Sequence, residues 1–432
     1  MSGFSLEVFQ NEFLAEGATT MDAIVTVASS DAAGVGGAVA PGQAAEVLIV
    51  DTSGSMTAPS TRIRAARLAA AEAIDGIRDG VAFAVVAGGP VATTVFPAWG
   101  SGLVIADHVT RGQAKDAVRH LEAGGGTAMS TWLMRARELF ATSPATIRHA
   151  ILLTDGENRE DQQLLDQAIE ACRGQFQADC RGVGTDWVVS ELRRIASALM
   201  GTVDIIPEPE QMEAEFRSLM ESAMGRGVSG ATLRVWCPQG ATVGFVRQVA
   251  PDVEDLSGRA VQVNPLTREY PLGAWGDEER DYHLSVSVPP NAVGVEMLAA
   301  RVSLVTGPGA DVVGQALVRA VWTSDEVASA RINPEVAHYT GQAELAANIQ
   351  EGLEALKAGD ERTATVKLGR ATQLAVESGH DGTVRLLRKV VDVEDERTGT
   401  VRIRKDIDKA DEMALDTRST RTVRVTGAKA PS

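Results

Sequence analysis

The side chains best suited to chemistry stand in the pentapeptide Asp51-Thr52-Ser53-Gly54-Ser55. Three oxygen-bearing side chains alternate there, and the glycine between the serines lets the backbone turn. Hard oxygen donors crowded into one loop favour Mg²⁺, with Mn²⁺ and Ca²⁺ as further candidates, over zinc or copper. The alternative is that Asp51, Ser53 and Ser55 only cap the next helix, because aspartate and serine are favoured caps.

Two apolar strands must position these residues. Residues 47–50 are apolar β-formers that run directly into Asp51, which is typical of a strand buried on both faces of a parallel sheet. Residues 150–153 form a second such strand and end at Thr154-Asp155-Gly156. In a doubly wound sheet these two strands are neighbours where the strand order reverses. Asp51 and Asp155 are therefore predicted to face one crevice.

A glycine-rich loop supplies a further oxygen donor. Gly124-Gly125-Gly126-Thr127 precedes the helix that leads into the second apolar strand, and its glycines allow a close approach of the backbone. Thr127 is therefore expected at the same crevice. The predicted metal site consists of Asp51, Ser53, Ser55, Thr127 and Asp155.

This constellation resembles the metal-ion-dependent adhesion site of von Willebrand factor type A domains. The resemblance rests on the Asp-x-Ser-x-Ser loop, the Gly-Gly-Thr loop that ends at Thr127, and the Leu-Thr-Asp-Gly strand end that holds Asp155. It implies a divalent ion, foremost Mg²⁺, at these five residues. It also implies a non-catalytic protein-binding module, active in assembly or signalling, whose partner offers an acidic side chain to the metal.

The chemistry of the ligands agrees with that implication. Serine and threonine hydroxyls are neutral, and Mg²⁺ prefers about six oxygens at ~2.1 Å, so part of its shell is left to exchangeable water. A carboxylate from a partner can replace such a water.

The pattern along the chain divides it into units. Alternating strands and helices over residues 46–225 predict an α/β, doubly wound, mostly parallel sheet. Residues 1–45 and 228–328 are predicted to form a β-sandwich into which the α/β domain is inserted. Residues 331–392 are predicted to form a helical hairpin or bundle. Residues 393–432 are charged, lack an apolar face and are predicted to be mostly disordered. This order resembles bacterial cytoplasmic multidomain members of the superfamily.

Three threonines of the predicted tail have arginine neighbours. Thr417, Thr420 and Thr422 on a mobile segment suggest phosphorylation and capture by a phosphothreonine-binding partner. The alternative is a plain solvated tail.

Composition restricts the partners and the compartment. A formal net charge of −17 argues against nucleic acid and anionic membranes. No apolar run approaches the ~20 residues of a membrane helix, and the first residues do not resemble a signal peptide. The three cysteines form no Cys-x-x-Cys pair, which favours reduced thiols and a cytoplasmic protein.

The sequence predicts no catalytic residue. Six histidines are scattered, and His149 is expected to be a strand-end residue and not a general base. A metal-assisted hydrolase or phosphatase that uses the same ion is one alternative, although no residue is identified as its base or leaving-group acid. Another is a scaffold that binds through the β-sandwich and helices and holds a structural metal.

Overall fold

The computed structural model describes most of the chain. The described residues are 3–30, 42–57, 60–98, 102–307 and 309–424. Both predicted terminal segments lie partly outside them: residues 1–2 and 31–41 of the sandwich segment 1–45, and residues 425–432 of the predicted tail.

Three strands open the chain and belong to a β-sandwich. They are β1 (Gly3–Gln10), β2 (Phe13–Ala15) and β3 (Thr20–Ser30).

An α/β domain follows. Its strands are β4 (Ala44–Asp51), β5 (Ala82–Gly88), β6 (Thr93–Phe96), β7 (Val104–Ile105), β8 (Ile147–Thr154), β9 (Gln177–Val183) and β10 (Val203–Ile206). Its helices are α1 (Thr61–Gly76), α2 (His108–Arg119), α3 (Met129–Ala141), α4 (Gln162–Cys172), α5 (Val189–Ala198) and α6 (Met212–Met224). The sheet order is β10-β9-β8-β4-β5-β6, with β7 also on β5. Pairing is parallel from β10 to β5 and antiparallel for β6 and β7.

Strand β4 lies at the centre of this sheet, and all of its residues are buried. Leu48 and Val50 contribute to a core that includes residues of α1 and α6. Val47 and Ile49 contribute to a second core that includes residues of α3, α4 and α5. Helices on both faces explain the uninterrupted apolar run in the sequence. The prediction of a doubly wound, mostly parallel sheet is confirmed.

The strand order reverses beside β4. Strand β4 pairs with β8 on one side and with β5 on the other, and Val50 lies opposite Leu153 of β8. The carboxyl ends of β4 and β8 therefore meet at one edge of the sheet. Asp51 ends β4 and Asp155 follows β8, so both carboxylates reach this edge, as predicted.

The remaining sandwich strands follow the α/β domain. They are β11 (Val228–Trp236), β12 (Thr242–Ala250), β13 (Glu254–Asp255), β14 (Val261–Asn264), β15 (Thr267–Trp275), β16 (Glu279–Ser287), β17 (Glu296–Thr306) and β18 (Asp311–Thr323). One sheet has the order β1-β3-β16-β12-β13 and the other β14-β15-β11-β17-β18-β2. Apolar residues of both sheets share one core.

The N-terminal strands complete this sandwich. Val25 of β3 lies opposite Tyr282 of β16 in an antiparallel pair, and β2 pairs in parallel with β18. The α/β domain is thus inserted in the sandwich, which confirms the predicted architecture.

The chain ends in a mainly helical unit. Its elements are α7 (Glu326–Ala330), α8 (Pro334–Lys357), α9 (Glu361–Glu377), α10 (Asp381–Val390), β19 (Val391–Asp395), β20 (Thr400–Ile403) and α11 (Lys409–Arg418). Helices α8 and α9 form the predicted hairpin. Gly359 turns the chain between them with φ +78°, a conformation that glycine adopts without steric cost.

The prediction of disorder beyond residue 392 is wrong for the described part of that segment. Strands β19 and β20 pair, and α11 packs against α10 and α5. Val401 and Leu415 are buried in the helical core. The apolar residues are few, and many charged side chains face water or pair with acids and bases elsewhere in the fold. The sequence therefore shows no continuous apolar face although the segment is ordered.

Because this segment is folded, the prediction that its threonines lie on a mobile tail is also wrong. Thr417 is 3% exposed, and its hydroxyl donates to the carbonyl of Met413 at 2.9 Å. The carbonyl of Thr420 accepts from the Val253 amide at 2.7 Å, and the Thr422 hydroxyl donates to the Pro251 carbonyl at 3.0 Å. A kinase cannot reach Thr417 in this fold.

Asp204 of β10 anchors the segment. Its carboxylate is nearly buried and accepts a hydrogen bond from Arg418 Nε at 3.0 Å and another from Arg421. Asp204→Ala is expected to lower the free energy of unfolding by about 2 kcal/mol. This loss is smaller than that expected from breaking a fully buried ion pair, because both arginines are partly exposed.

Urea unfolding measures this loss, and hydrogen exchange over residues 409–424 locates it. Asp166→Ala is the matched control, since Asp166 is exposed and pairs with Arg194 on the surface. Equal stability of the two variants would contradict the anchoring role.

None of the described helices is long and apolar enough to cross a bilayer.

Candidate metal centre

Backbone hydrogen bonds join the three loops that carry the predicted site residues. The Gly124 amide donates to the Thr52 carbonyl at 2.7 Å, and the Gly54 amide donates to the Gly125 carbonyl at 2.9 Å. The Arg159 amide donates to the Thr127 carbonyl at 2.9 Å. These bonds hold the loops after β4 and β8 and the glycine-rich loop against one another.

The glycine-rich loop needs glycine at one position in particular. Gly125 has φ +84°, and a Cβ there would lie 3.0 Å from Cδ of Pro90. The left-handed conformation and the close neighbour both disfavour a side chain. The run of glycines in the sequence thus has a local structural reason.

Hydroxyls and carboxylates converge after β4 and β8. The hydroxyl oxygens of Ser53 and Ser55 are 2.8 Å apart, and the Ser55 hydroxyl donates to Asp155 Oδ1 at 2.5 Å. Asp51 and Asp155 are both 0% exposed. Hydrogen bonds that run from Ser53 through Ser55 to Asp155 therefore connect the loop after β4 with the loop after β8.

Asp51 is fixed on both carboxylate oxygens. Its Oδ1 accepts from the Ser53 amide at 2.6 Å, and its Oδ2 accepts from the Thr154 hydroxyl at 2.6 Å. Burial raises the pKa of Asp51 to about 6 against these hydrogen bonds, which lower it. Thr154 is a positioning residue that the sequence analysis missed, although it stands in the Leu-Thr-Asp-Gly strand end that was singled out.

The Thr127 hydroxyl faces the same space as that of Ser55. A Cβ built on Gly156 would lie 3.0 Å from the Ser55 hydroxyl oxygen and 3.5 Å from the Thr127 hydroxyl oxygen. Because Gly156 has no side chain, the space between the Ser55 and Thr127 hydroxyls stays open. The structure brings the five predicted residues together: three of them line one crevice, and the two aspartates are buried beside its serines.

The alternative that these residues cap the next helix is wrong. Helix α1 begins at Thr61, and its N-cap is Ser60. Asp51, Ser53 and Ser55 precede that cap and make their hydrogen bonds within and between the site loops.

Arg62 was also missed by the sequence analysis. One guanidinium nitrogen donates to Asp155 Oδ2 and another to Asp186 Oδ2, each at 3.0 Å. Burial raises the pKa of Asp155, and the bonds from Ser55 and Arg62 oppose that rise. Arg62 lies on α1 and Asp186 follows β9, so only the docking of these elements brings them to the site.

The crevice above these residues has a volume of about 550 Å³. Its lining includes both serines of the motif, Thr127 and Gly156, surrounded by five charged side chains: Arg62, Glu157, Arg159, Asp186 and Lys409. Ser53, Ser55 and Thr127 line the crevice, and Asp51 and Asp155 are buried behind the two serines, to which they are hydrogen-bonded. This set fits a hard divalent cation such as Mg²⁺.

The described residues contain no group of three or more histidine, cysteine, aspartate or glutamate side chains that could hold a metal. Any ion held by Asp51 and Asp155 must therefore take its further protein ligands from hydroxyl or backbone carbonyl oxygens. That coordination remains a prediction.

His149 lies at the opposite edge of the sheet, near the start of β8. Its Nδ1 is 2.9 Å from Glu46 Oε1 and its Nε2 is 2.8 Å from Asp179 Oδ2. All three residues are buried. His149 is therefore part of a structural charge cluster and does not line the crevice.

A substitution at Gly156 directly tests whether the space between the Ser55 and Thr127 hydroxyls holds the metal. Gly156 has no positive φ, so a valine there is limited by space and not by backbone strain. Gly156→Val is expected to crowd the Ser55 and Thr127 hydroxyls and weaken Mg²⁺ binding by about 10- to 100-fold, as disturbed ligand orientation commonly does.

Titration calorimetry measures that affinity. Gly124→Ala serves as the control, because a Cβ there meets nothing within 4 Å. Unchanged affinity in Gly156→Val would place the metal elsewhere.

Comparison with known proteins places the chain in a family. A model described as the von Willebrand factor type A domain matches residues 45–205, and one described as the von Willebrand factor type A C-terminal domain matches residues 373–419. The structure of von Willebrand factor type A from Catenulispora acidiphila is 50% identical, with 98% of each chain covered and a TM-score of 0.93. The chain belongs to the von Willebrand factor type A family.

More distant structures share the fold of this von Willebrand factor type A protein. The ArnB paralog VWA2 from Sulfolobus acidocaldarius has a TM-score of 0.60 at 15% identity, with 97% of this chain and 98% of that chain covered. The human COPII-coat protein Sec24c has a TM-score of 0.52 at 10% identity, with 89% of this chain and 57% of that chain covered. A comparison with curated protein sequences found no match.

Proposed function

We propose that this chain is a non-catalytic protein-binding module that depends on a divalent metal, foremost Mg²⁺. Asp51, Ser53, Ser55, Thr127 and Asp155 hold the ion, and an acidic side chain of a protein partner completes its coordination. One observation carries the proposal: three hydroxyl-bearing residues line an open crevice, and two buried carboxylates are hydrogen-bonded to the serines among them.

The protein's own residues set the charge at this site. The hydroxyls of Ser53, Ser55 and Thr127 add no charge, so the buried carboxylates of Asp51 and Asp155 supply the negative charge of the proposed ion site. A bound Mg²⁺ supplies Lewis acidity and a coordination position for a further oxygen. Thr154 orients Asp51, and Ser55 and Arg62 orient Asp155.

A binding role is favoured over a catalytic one. The described lining of the crevice includes no histidine or cysteine. His149, the histidine next to β8, is held between Glu46 and Asp179 at the other edge of the sheet. Hydrolysis would need a general base or acid beside the ion. Of the two carboxylates in the described lining, Asp186 is paired with Arg62, which leaves Glu157 as the group that could take this role.

We also propose a bacterial, cytoplasmic protein that acts in assembly or signalling. The three cysteines are free and buried, which suits a reducing compartment. The relative with 50% identity is bacterial.

Affinity purification with the full chain tests the proposed function. We expect partners to be recovered in Mg²⁺, and to be lost in EDTA and with Ser55→Ala, which removes a hydroxyl from the floor of the crevice. Ser222→Ala is the matched control, because Ser222 is an exposed serine of α6 that does not line the crevice. Equal recovery with Mg²⁺ and with EDTA would refute the proposal and favour a scaffold that binds through the β-sandwich and helices.

A further inference from the structure

We propose that the crevice binds an acidic peptide segment with several carboxylates, of which those beyond the metal-bound one pair with Arg159 and Lys409. This inference rests on the proposed function, in which the metal takes the first carboxylate. It assigns to the C-terminal helical unit a part in the binding site of the α/β domain.

Two cations of the crevice have no partner within the described chain. Arg159 lies in the loop after β8, and Lys409 is the first residue of α11. Both are exposed and line the crevice. The side chain of neither makes a hydrogen bond or an ion pair with another described residue. Both are therefore available to a ligand.

The other charged residues that line the crevice are either already paired or acidic. Arg62 is already paired with Asp155 and Asp186. The remaining acidic group is Glu157, which is exposed. If a divalent ion balances the two buried carboxylates of the ion site, the rim carries three cations against two carboxylates. This local excess contrasts with the formal net charge of −17 for the whole chain, and it favours an anionic ligand.

The fold holds Lys409 at the crevice through α11. Asp408 caps this helix by accepting from the Ala410 amide at 2.7 Å. Arg193 of α5 donates to Asp416 Oδ1 at 2.7 Å, which anchors α11 to the α/β domain. The backbone of Lys409 is therefore fixed at the crevice, so that binding a ligand has to order its side chain but not the segment that carries it.

The placement of the cations favours separate carboxylates over one phosphate. Arg159 and Lys409 come from different elements, and Glu157 and Asp186 line the crevice with them. A phosphate concentrates its charge on one centre and is best held by converging donors. Single charges along an extended peptide match cations that come from separate elements of a rim that also carries two carboxylates.

Fluorescence anisotropy with labelled synthetic peptides tests the inference in 1 mM MgCl₂. One peptide is a Gly-Ser chain with a single glutamate, and the other has the same length with several glutamates. Lys409→Ala and Arg159→Ala are each expected to weaken binding of the multi-glutamate peptide about three- to fivefold, with little effect on the single-glutamate peptide. The double variant is expected to lose about 10- to 25-fold if the two effects add in free energy.

Lys405→Ala is the matched control. Lys405 is an exposed lysine just before α11 that does not line the crevice, so this variant is expected to bind both peptides like the wild type. Added salt is expected to reduce the preference for the multi-glutamate peptide.

The outcomes separate this inference from the proposed function. Multi-glutamate binding that requires Mg²⁺ but is unchanged in the double variant overturns the role of Arg159 and Lys409 and leaves the metal-dependent function standing. Binding that is equal with Mg²⁺ and EDTA counts against the proposed function itself. If phosphorylated peptides bind better than multi-glutamate peptides at equal charge, the acidic-segment inference is wrong.

Discussion

Asp51→Asn is expected to weaken Mg²⁺ binding by at least about 100-fold while the metal-free protein stays folded. Asparagine keeps the shape of the side chain and an oxygen that can accept one of the two hydrogen bonds made by Asp51. The Thr154 hydroxyl can rotate to accept from the new amide, because it also has the Gly156 carbonyl within reach at 3.2 Å. The fold is therefore preserved while one of two anionic ligands is lost.

The stability of this variant without metal adds a second readout. Burial raises the pKa of Asp51 to about 6, so ionised Asp51 costs folding free energy above that pH when no metal compensates it. Asp51→Asn removes this cost, and at neutral pH the metal-free variant is expected to unfold at the same temperature as the wild type or higher.

Calorimetric titration and thermal unfolding with and without Mg²⁺ check both effects. In the wild type, Mg²⁺ at about 100 times its Kd adds ~2.7 kcal/mol to the stability by mass action, and the variant is expected to lack this increment. Asp186→Asn is the control and should keep it, since Asp186 is exposed and contacts Arg62. An equal gain from Mg²⁺ in wild type and Asp51→Asn would refute the assigned site.

His149→Ala is expected to lower the free energy of unfolding by about 3–5 kcal/mol. Both imidazole nitrogens of His149 lie within 3.0 Å of carboxylate oxygens, on Glu46 and Asp179, and all three groups are buried. Truncation leaves the two carboxylates without the cation between them. Arg226 remains near Asp179 at 3.4 Å and compensates only part of that charge.

The loss is expected to depend on pH. Burial alone would lower the pKa of His149, but the charge of Glu46 and the bond to Asp179 raise it above its ordinary value. A raised folded-state pKa stabilises the fold fully below the ordinary imidazole pKa of about 6.5, and this contribution fades as the pH rises through the folded-state pKa. The difference between wild type and variant should therefore shrink in alkaline solution.

Urea unfolding between pH 5 and pH 9 measures this dependence. His120→Ala is the control, because His120 is exposed and its ring contacts only the Asp116 carbonyl among the described residues. Its expected effect is below about 0.5 kcal/mol at every pH. If His149→Ala lowered the free energy of unfolding as little as His120→Ala, the stabilising role of the charge cluster would be refuted.

The sequence by itself determined the local chemistry of the site and the class of fold. The apolar run of β4 predicts a strand buried on both faces, and the hydroxyls after it can only lie at the strand's carboxyl end. The glycines of the loop before Thr127 reflect a positive φ at Gly125 and a close approach to Pro90. Such signals are readable because neighbouring residues share one backbone conformation, and periodicity reports which face is buried.

Tertiary structure alone decided which distant side chains meet. The parallel register of β4 and β8 sets Glu46 opposite His149, and the docking of α1 brings Arg62 to Asp155. The docking of α11 carries Lys409 to the crevice and orders a segment whose charges suggested disorder. Periodicity carries no information on such pairs, because strand register and helix docking depend on packing over the whole chain.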